Sequence, residues 1–411
     1  MTYNIEYHNH NSKNNDNNLL LHTAESILAN IDSGNPYYQI FKKQDSQKLS
    51  QTFSDIADKI RTNFSDFIVI SMGGATLNPQ MLVNFLGQDE HSPKIHFLNN
   101  TDPFFFADLL NTIDIKNSAF IAISKSGETL ETNGLVGCIL KEYQKNNIQD
   151  INNRSFFITD PTNGTLKNIA IEVGGTLLHH QEGISGRYSG LSSVSLLIGL
   201  IAGINIDAYL SGANGVIDDF RSNLDHSKPL LSASSIYYSN KTTLVNIGYL
   251  QKFFVFLEWY SQIIAESLGK DNKGFTPLRG LGPNDQHNML QLYLEGAQDK
   301  YFSFFYVNNL DQDTATYKTT NLTTLGYLAN KRLSDLNKAN FDATINALIL
   351  KKAPVRTVVL KNLSAESFGA ITCHLMFEII TIGCLMKINP FNQPGVELIK
   401  NHSKKLVNSL Y

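Results

Sequence analysis

Cysteine is nearly missing from this sequence: Cys138, Cys373 and Cys384 are the only three, each set in an apolar helical pattern. An odd count without regular spacing excludes a disulfide framework and a cysteine metal knuckle, and points to buried free thiols in a reducing compartment. Charge is also sparse, at 17% of residues with a net balance of −3. Without a basic excess, neither nucleic acid nor an anionic membrane is an expected partner, so any phosphate recognition must be local. No run reaches the roughly 18 uninterrupted apolar residues of a membrane span. The closest, Leu191 to Ile204, is shorter and carries serines, as a core helix does. The opening Met1-Thr2-Tyr3-Asn4-Ile5-Glu6-Tyr7 lacks a basic start and an apolar core, so no secretory signal and a cytoplasmic location are expected. The G-x-G-x-x-G fingerprint is missing after Gly73-Gly74, and no Cys/His spacing fits a metal. Neither a dinucleotide cofactor nor a metal is therefore expected.

What is present is a large apolar fraction, 42%, enough for a sizeable core. Length alone predicts roughly two or three domains. The chain is organised around Ser124-Lys125-Ser126-Gly127-Glu128-Thr129. Ala119 to Ile123 before it is short and apolar, like a buried strand; Leu130, Leu135, Cys138, Ile139, Leu140 and Tyr143 after it form a helical pattern. The polar stretch is thus a strand-to-helix turn, whose free amides and positive dipole end suit an anion. One hydroxyl there would be an ordinary cap. Four hydroxyl residues (Ser124, Ser126, Thr129 and Thr132) with Lys125 and Gly127 favour a phosphate site.

Residues 8–18 are polar and read as a tail or loop; Leu19 to Ile31 and Phe41 to Phe64 read as helices. Short apolar strands then alternate with helices: strands at 66–71, 94–98, 119–123, 154–159 and 175–179, with a helix from Pro79 to Phe85. This grammar predicts an α/β fold with a parallel sheet covered on both faces, and ligands at the carboxyl ends of its strands. Gly73-Gly74, the serine loop and Gly183 to Gly190 would share that rim. Ile206 to Leu231 reads as helices broken at Gly212, after which a second α/β unit begins. The predicted divisions are a helical region 1–65, a first α/β domain 66–205, a helical connection 206–235, a second α/β domain 236–388 and a C-terminal helix 389–411.

Candidate chemistry is concentrated in four further places. Arg187 sits in a glycine-bracketed loop, where it either caps a carboxylate or faces an anion. Glu258, Gln262 and Glu266 recur every four residues and share one helix face. The bland alternative is a solvated acidic stripe, and for Glu258 that alternative is favoured. His287 follows Pro283 by about one helical turn and, taken alone, reads as structural. Lys400, after the helix start at Pro394, reads alone as a surface lysine.

Taken together these stretches resemble the glucose-6-phosphate isomerase family, and the two α/β units resemble its pair of sugar isomerase (SIS) domains. The matches, in order, are Gly73-Gly74, Ser124 to Thr129, Gly186-Arg187, Gln262 to Glu266 with Gly269-Lys270-Asp271, Gln286-His287, and Gln393-Pro394-Gly395-Val396-Glu397 with Lys400. The resemblance implies a sugar-phosphate substrate and no cofactor. It implies phosphate binding by Ser124, Lys125, Ser126 and Thr129, with Gly74, Ala75, Gly186 and Gln262 lining the sugar site. Glu266 would be the base, Arg187 the stabiliser of an enediolate, and His287 and Lys400 the groups serving ring opening. His287 would come from a neighbouring subunit, which implies a homodimer. Two residues depart from the family pattern: Ala75 stands where serine is usual, and Glu128 where threonine is more common. Glu128 keeps open a dual phosphoglucose/phosphomannose isomerase, an amino-sugar isomerase, or a non-catalytic sugar-phosphate-binding SIS protein. Retention of Glu266, His287 and Lys400 favours the enzyme.

Overall fold

In the computed structural model the described residues are 2–10, 16–43, 45–160, 162, 164–310 and 323–409. The chain opens with strand β1 (Tyr3–His8) and helices α1 (Asn17–Asp32) and α2 (Ser46–Asn63). The first α/β unit follows as β2 (Asp66–Ser71), α3 (Gly74–Leu86), β3 (Lys94–Leu98), α4 (Pro103–Thr112), β4 (Ser118–Ser124) and α5 (Leu130–Lys145). It closes with α6 (Ile151–Arg154), β5 (Ser155–Thr159), α7 (Thr165–Glu172) and β6 (Thr176–His179). These strands form one parallel sheet in the order β3-β2-β4-β5-β6. Every residue of β2, β4 and β5 is buried, as befits central strands covered on both faces.

Helices α8 (Ser193–Ile201), α9 (Ile206–Ser222) and α10 (Lys228–Tyr237) lead to β7 (Thr243–Gly248), α11 (Phe253–Leu268), β8 (Thr276–Leu281) and α12 (Asn284–Glu295). Then come β9 (Lys300–Asn309), α13 (Leu333–Leu350), β10 (Val355–Asn362), α14 (Ala365–Leu385) and α15 (Pro394–Asn408). The second sheet has the order β1-β10-β9-β7-β8, parallel except for β1. The sequence pattern also predicts a long helical region after Val307, to about Leu350, of which residues 311–322 lie outside the described residues.

The structure corrects the sequence pattern in several places. β1 stands where only helices and a polar loop were expected: Tyr3, Ile5 and Tyr7 alternate with Asn4, Glu6 and His8, and the strand pairs antiparallel with β10. α3 begins at Gly74, not Pro79, and carries the proline inside it. Asn78 donates from Nδ2 to Gly74 O (2.7 Å) and Gly186 O (2.8 Å), fastening this first turn to the arginine loop. β8 was not anticipated because Pro277 interrupts its pattern; the strand lies at a sheet edge, where a missing N–H is tolerated. α9 runs unbroken through Gly212. A Cβ there would lie 1.9 Å from Glu366 O, and one at Gly369 would lie 1.8 Å from Tyr209 O. These glycines permit backbone contact between α9 and α14 rather than a break. Cys138 is exposed, contrary to expectation, while Cys373 is buried.

α14 is the helix that approaches a membrane span in length and hydropathy, and 94% of its apolar window is buried inside the fold. Within this apolar setting sits a buried ionic cluster. Arg356 of β10 pairs with Glu378 of α14, both wholly buried. Tyr260 of α11 donates to Glu378, and Arg356 donates to Ser303 Oγ (2.8 Å) and Tyr260 Oη (2.8 Å). His374 contacts Tyr3 Oη (2.9 Å), so β1 is tied into the same network.

Candidate active site

Two glycine turns bring the first rim together. Gly73 has φ 58°, a left-handed value that favours glycine, and starts α3. A Cβ on Gly74 would lie 2.3 Å from Arg187 N, and one on Gly186 3.2 Å from Ala75 N. Glycine at position 74 is what lets the β2–α3 turn and the arginine loop stack backbone to backbone, and Gly186 keeps that contact free of crowding. Gly74, Ala75, Gly186 and Arg187 thereby form one wall.

Arg187 is almost wholly buried, 1% exposed, with all its nitrogens engaged. Nη1 donates to Glu266 Oε1 (3.0 Å) and Gln393 Oε1 (2.7 Å), Nε to Ser267 Oγ (2.9 Å), and Nη2 to Pro390 O (2.8 Å) and Asn392 O (3.1 Å). Trp259 Nε1 donates to Arg187 O (3.0 Å), fixing the backbone as well. The second oxygen of Glu266 accepts from Gln262 Nε2 (3.0 Å). Gln262 and Glu266 stand four residues apart on α11, which is why one helix face delivers both. Gln262 Oε1 is buried and has no partner among the described residues. Glu258, from the same stripe, pairs instead with Arg279 (3.1 Å) at the surface, as its bland reading anticipated.

The serine loop sits at the end of β4. Gly127 has φ 67°, and Ser124 and Thr129 share a hydroxyl–hydroxyl bond (2.8 Å). Thr129 is the N-cap of α5 but makes no side-chain cap bond. With that hydroxyl turned to Ser124, the first amides of α5 keep their donors for an anion. Ser126 is exposed, and its Oγ accepts from Glu128 N (3.2 Å). Lys125 lines a cavity of about 260 Å³ with Tyr37, Asp160, His180 and Glu182. Partial desolvation pushes its pKa down; Asp160 and Glu182 oppose that shift, while Arg187 adds to it.

Glu128 does not face the anion position. Oε1 accepts from Thr165 N (2.8 Å) and Thr165 Oγ1 (2.9 Å), and Oε2 from Lys404 Nζ (3.1 Å). Its pKa lies below the carboxylate norm, first through the Thr165 amide. The carboxylate thus caps the start of α7, where the helix dipole favours it.

His287 lies exposed on α12, and among the described residues no hydrogen bond or ion pair joins it to Arg187 or Glu266. Lys400 is exposed on α15. Two participants in the site stood in the matched stretches of the sequence without being given a role there. Gln393 holds Arg187, and Lys270 donates to Asn389 O one turn beyond Glu266. Burial and the nearby Arg187 push Lys270 down to about 8, against the pull of Glu266 and Asp271. Lys270 directly follows the glycine that ends α11, so its distance from Glu266 along the chain was the available signal. Among the described residues no cluster of His, Cys, Asp and Glu fits a metal.

Comparison with known proteins places this architecture. A curated glucose-6-phosphate isomerase of Rubrobacter xylanophilus is 32% identical over 362 residues, covering 84% of this chain and 83% of that one. The crystal structure of a hypothetical protein from Thermus thermophilus has a TM-score of 0.88 at 29% identity and covers 95% of each chain. That of a glucose-6-phosphate isomerase from Chlamydia trachomatis has a TM-score of 0.82 at 19% identity, covering 99% of this chain and 88% of that one; this likeness bears on the fold. Fold and site together define a two-sheet α/β protein of the phosphosugar isomerase class. The chain belongs to the phosphoglucose isomerase family, whose model matches residues 43–411.

Proposed function

We infer that this protein catalyses the reversible interconversion of glucose 6-phosphate and fructose 6-phosphate, a step of glycolysis and gluconeogenesis, in the cytoplasm. The observation that carries the reading is the buried Arg187 guanidinium on one oxygen of Glu266, with Gln262 on the other. A carboxylate base held in place beside a fixed cation is what aldose–ketose isomerisation requires. With the open-chain aldose bound, Glu266 takes the proton from C2. The electron pair moves to form the C1–C2 double bond, and negative charge develops on the C1 oxygen, which Arg187 stabilises. The proton is returned at C1, the O2 proton passes to O1, and the ketose results. The orphan Oε1 of Gln262 accepts a sugar hydroxyl, and Ser124, Lys125, Ser126, Thr129 and the α5 amides hold the phosphate. His287 from a second copy and Lys400 move protons during ring opening, in a homodimer with shared sites.

A coupled assay on fructose 6-phosphate, with mannose 6-phosphate run beside it, tests the reading. Glu266→Gln should retain substrate binding and lose roughly two to four decades of kcat. Wild-type exchange of the C2 proton in Glu266→Gln would remove the base assignment. Turnover of mannose 6-phosphate at a comparable rate would widen the substrate class to the dual isomerase, and binding without turnover would leave a sugar-phosphate-binding protein.

A further inference from the structure

We propose that Glu128 and Lys404 form a positioning pair: their ion pair is the second of two pins that hold α15 across the site and so aim Lys400. This rests on the role given to Lys400 above. The first pin is at the start of the helix, where the N-cap residue Gln393 accepts from the buried Arg187 (2.7 Å). The second is three turns later, where Lys404 Nζ meets Glu128 Oε2 (3.1 Å). At about 1.5 Å per residue the pins stand roughly 16 Å apart along the axis. Gln393, Lys400 and Lys404 are spaced i, i+7 and i+11, which places them on one face of the helix. Lys400 therefore lies between the guanidinium that faces the reacting carbons and the loop that faces the phosphate.

The pin on the loop side is well founded. Before it meets Lys404, the Glu128 carboxylate is already fixed by both the amide and the hydroxyl of Thr165. It is attached to the loop through Glu128 N and Ser126 Oγ (3.2 Å). Ordering of this loop by a phosphate is thus passed to α15 through one side chain. This also gives a reason for a carboxylate in a loop that binds an anion: its charge is turned outward and matched by Lys404.

The test compares Lys404→Met, Lys404→Arg and Glu128→Gln with the wild type. Lys404→Met and Glu128→Gln should lower kcat on the ring-closed sugar phosphate by roughly two- to fivefold, the scale of one partly exposed ion pair. KM and the affinity for inorganic phosphate should change less than kcat. Lys404→Arg should restore kcat. About 1 M salt, which screens charges beyond ~3 Å, should lower wild-type kcat toward that of Lys404→Met and leave Lys404→Met nearly unchanged. Without any substrate, amide hydrogen exchange along α15 should be faster in Lys404→Met. Unchanged kcat together with unchanged exchange would overturn the proposal. A loss confined to KM would overturn it too, since the pair would then act on the phosphate's charge and not on Lys400. The exchange measurement stands apart from catalysis, so failure of the isomerase reading would show separately as an inactive wild type.

Discussion

At the scale of single residues, Lys270 is the group whose ionisation the site perturbs within reach of neutral pH. Its value of about 8 lies below the ordinary 10.5, so between those limits the unfolded chain holds a proton that the folded chain has released. Its contribution to stability is present above that window and is lost as pH falls through it to about 8. In the site the consequence runs the other way: below about 8 the ammonium adds positive charge beside the forming enediolate. kcat/KM should therefore fall as pH rises through about 8. Lys270→Arg should abolish that limb below pH ~10, because a guanidinium stays charged. Lys270→Met should flatten it at a lower rate. An unaltered limb in Lys270→Arg would assign the titration to another group. The sequence displayed the residues that carry a chemical type at a telling place, such as Arg187 between glycines or Glu266 one turn after Gln262. It carried Lys270 in a matched stretch without giving it a role, since what makes that lysine unusual is burial and the charge of Arg187, which lies 83 positions away along the chain.

At the scale of elements, the ionic cluster shows how β10, α11 and α14 are held in register. Burial alone would raise the pKa of Glu378, but the Arg356 guanidinium overrides it and holds the carboxyl well below the usual range. Removing one partner leaves an uncompensated buried charge. Glu378→Gln should cost about 3–5 kcal/mol, whereas replacing both partners by apolar residues (Glu378→Leu with Arg356→Met) should cost much less. Urea unfolding monitored by circular dichroism separates these outcomes; equal losses for the single and double variants would deny the pairing its role. Tyr260 sits two residues before Gln262, so the cluster also anchors the helix that presents the base. None of this was legible beforehand, because Glu378 reads as one polar residue in an apolar helix and its partner lies on another element. Gly212 misled for a related reason: a glycine that ends a helix and one that admits a neighbouring backbone look alike until the neighbour is placed.

At the scale of the whole molecule, the two α/β units were visible in the sequence because local hydrophobic runs and glycine turns encode them. β1 was not, although its alternation of Tyr3, Ile5 and Tyr7 with polar residues was there to be read, because nothing nearby supplies its partner. The exposed position of His287 bears on assembly. If the histidine is contributed in trans, mixing inactive His287→Ala and Glu266→Gln subunits should recover part of the activity. Some mixed dimers then carry one site free of both substitutions. No recovery, with subunit exchange verified by mass, would place both residues in one chain's site. The pairing of β1 also has a consequence in time. Tyr3 lies opposite Leu360 and His8 opposite Val355. A ribosome adding ~5–20 residues per second needs roughly 20–70 s to travel between them. β1 thus waits out the synthesis of the roughly 350 residues between them for its place in the sheet, and a chain interrupted before residue 355 leaves Tyr3, Ile5 and Tyr7 as a loose sticky segment for chaperones to cover.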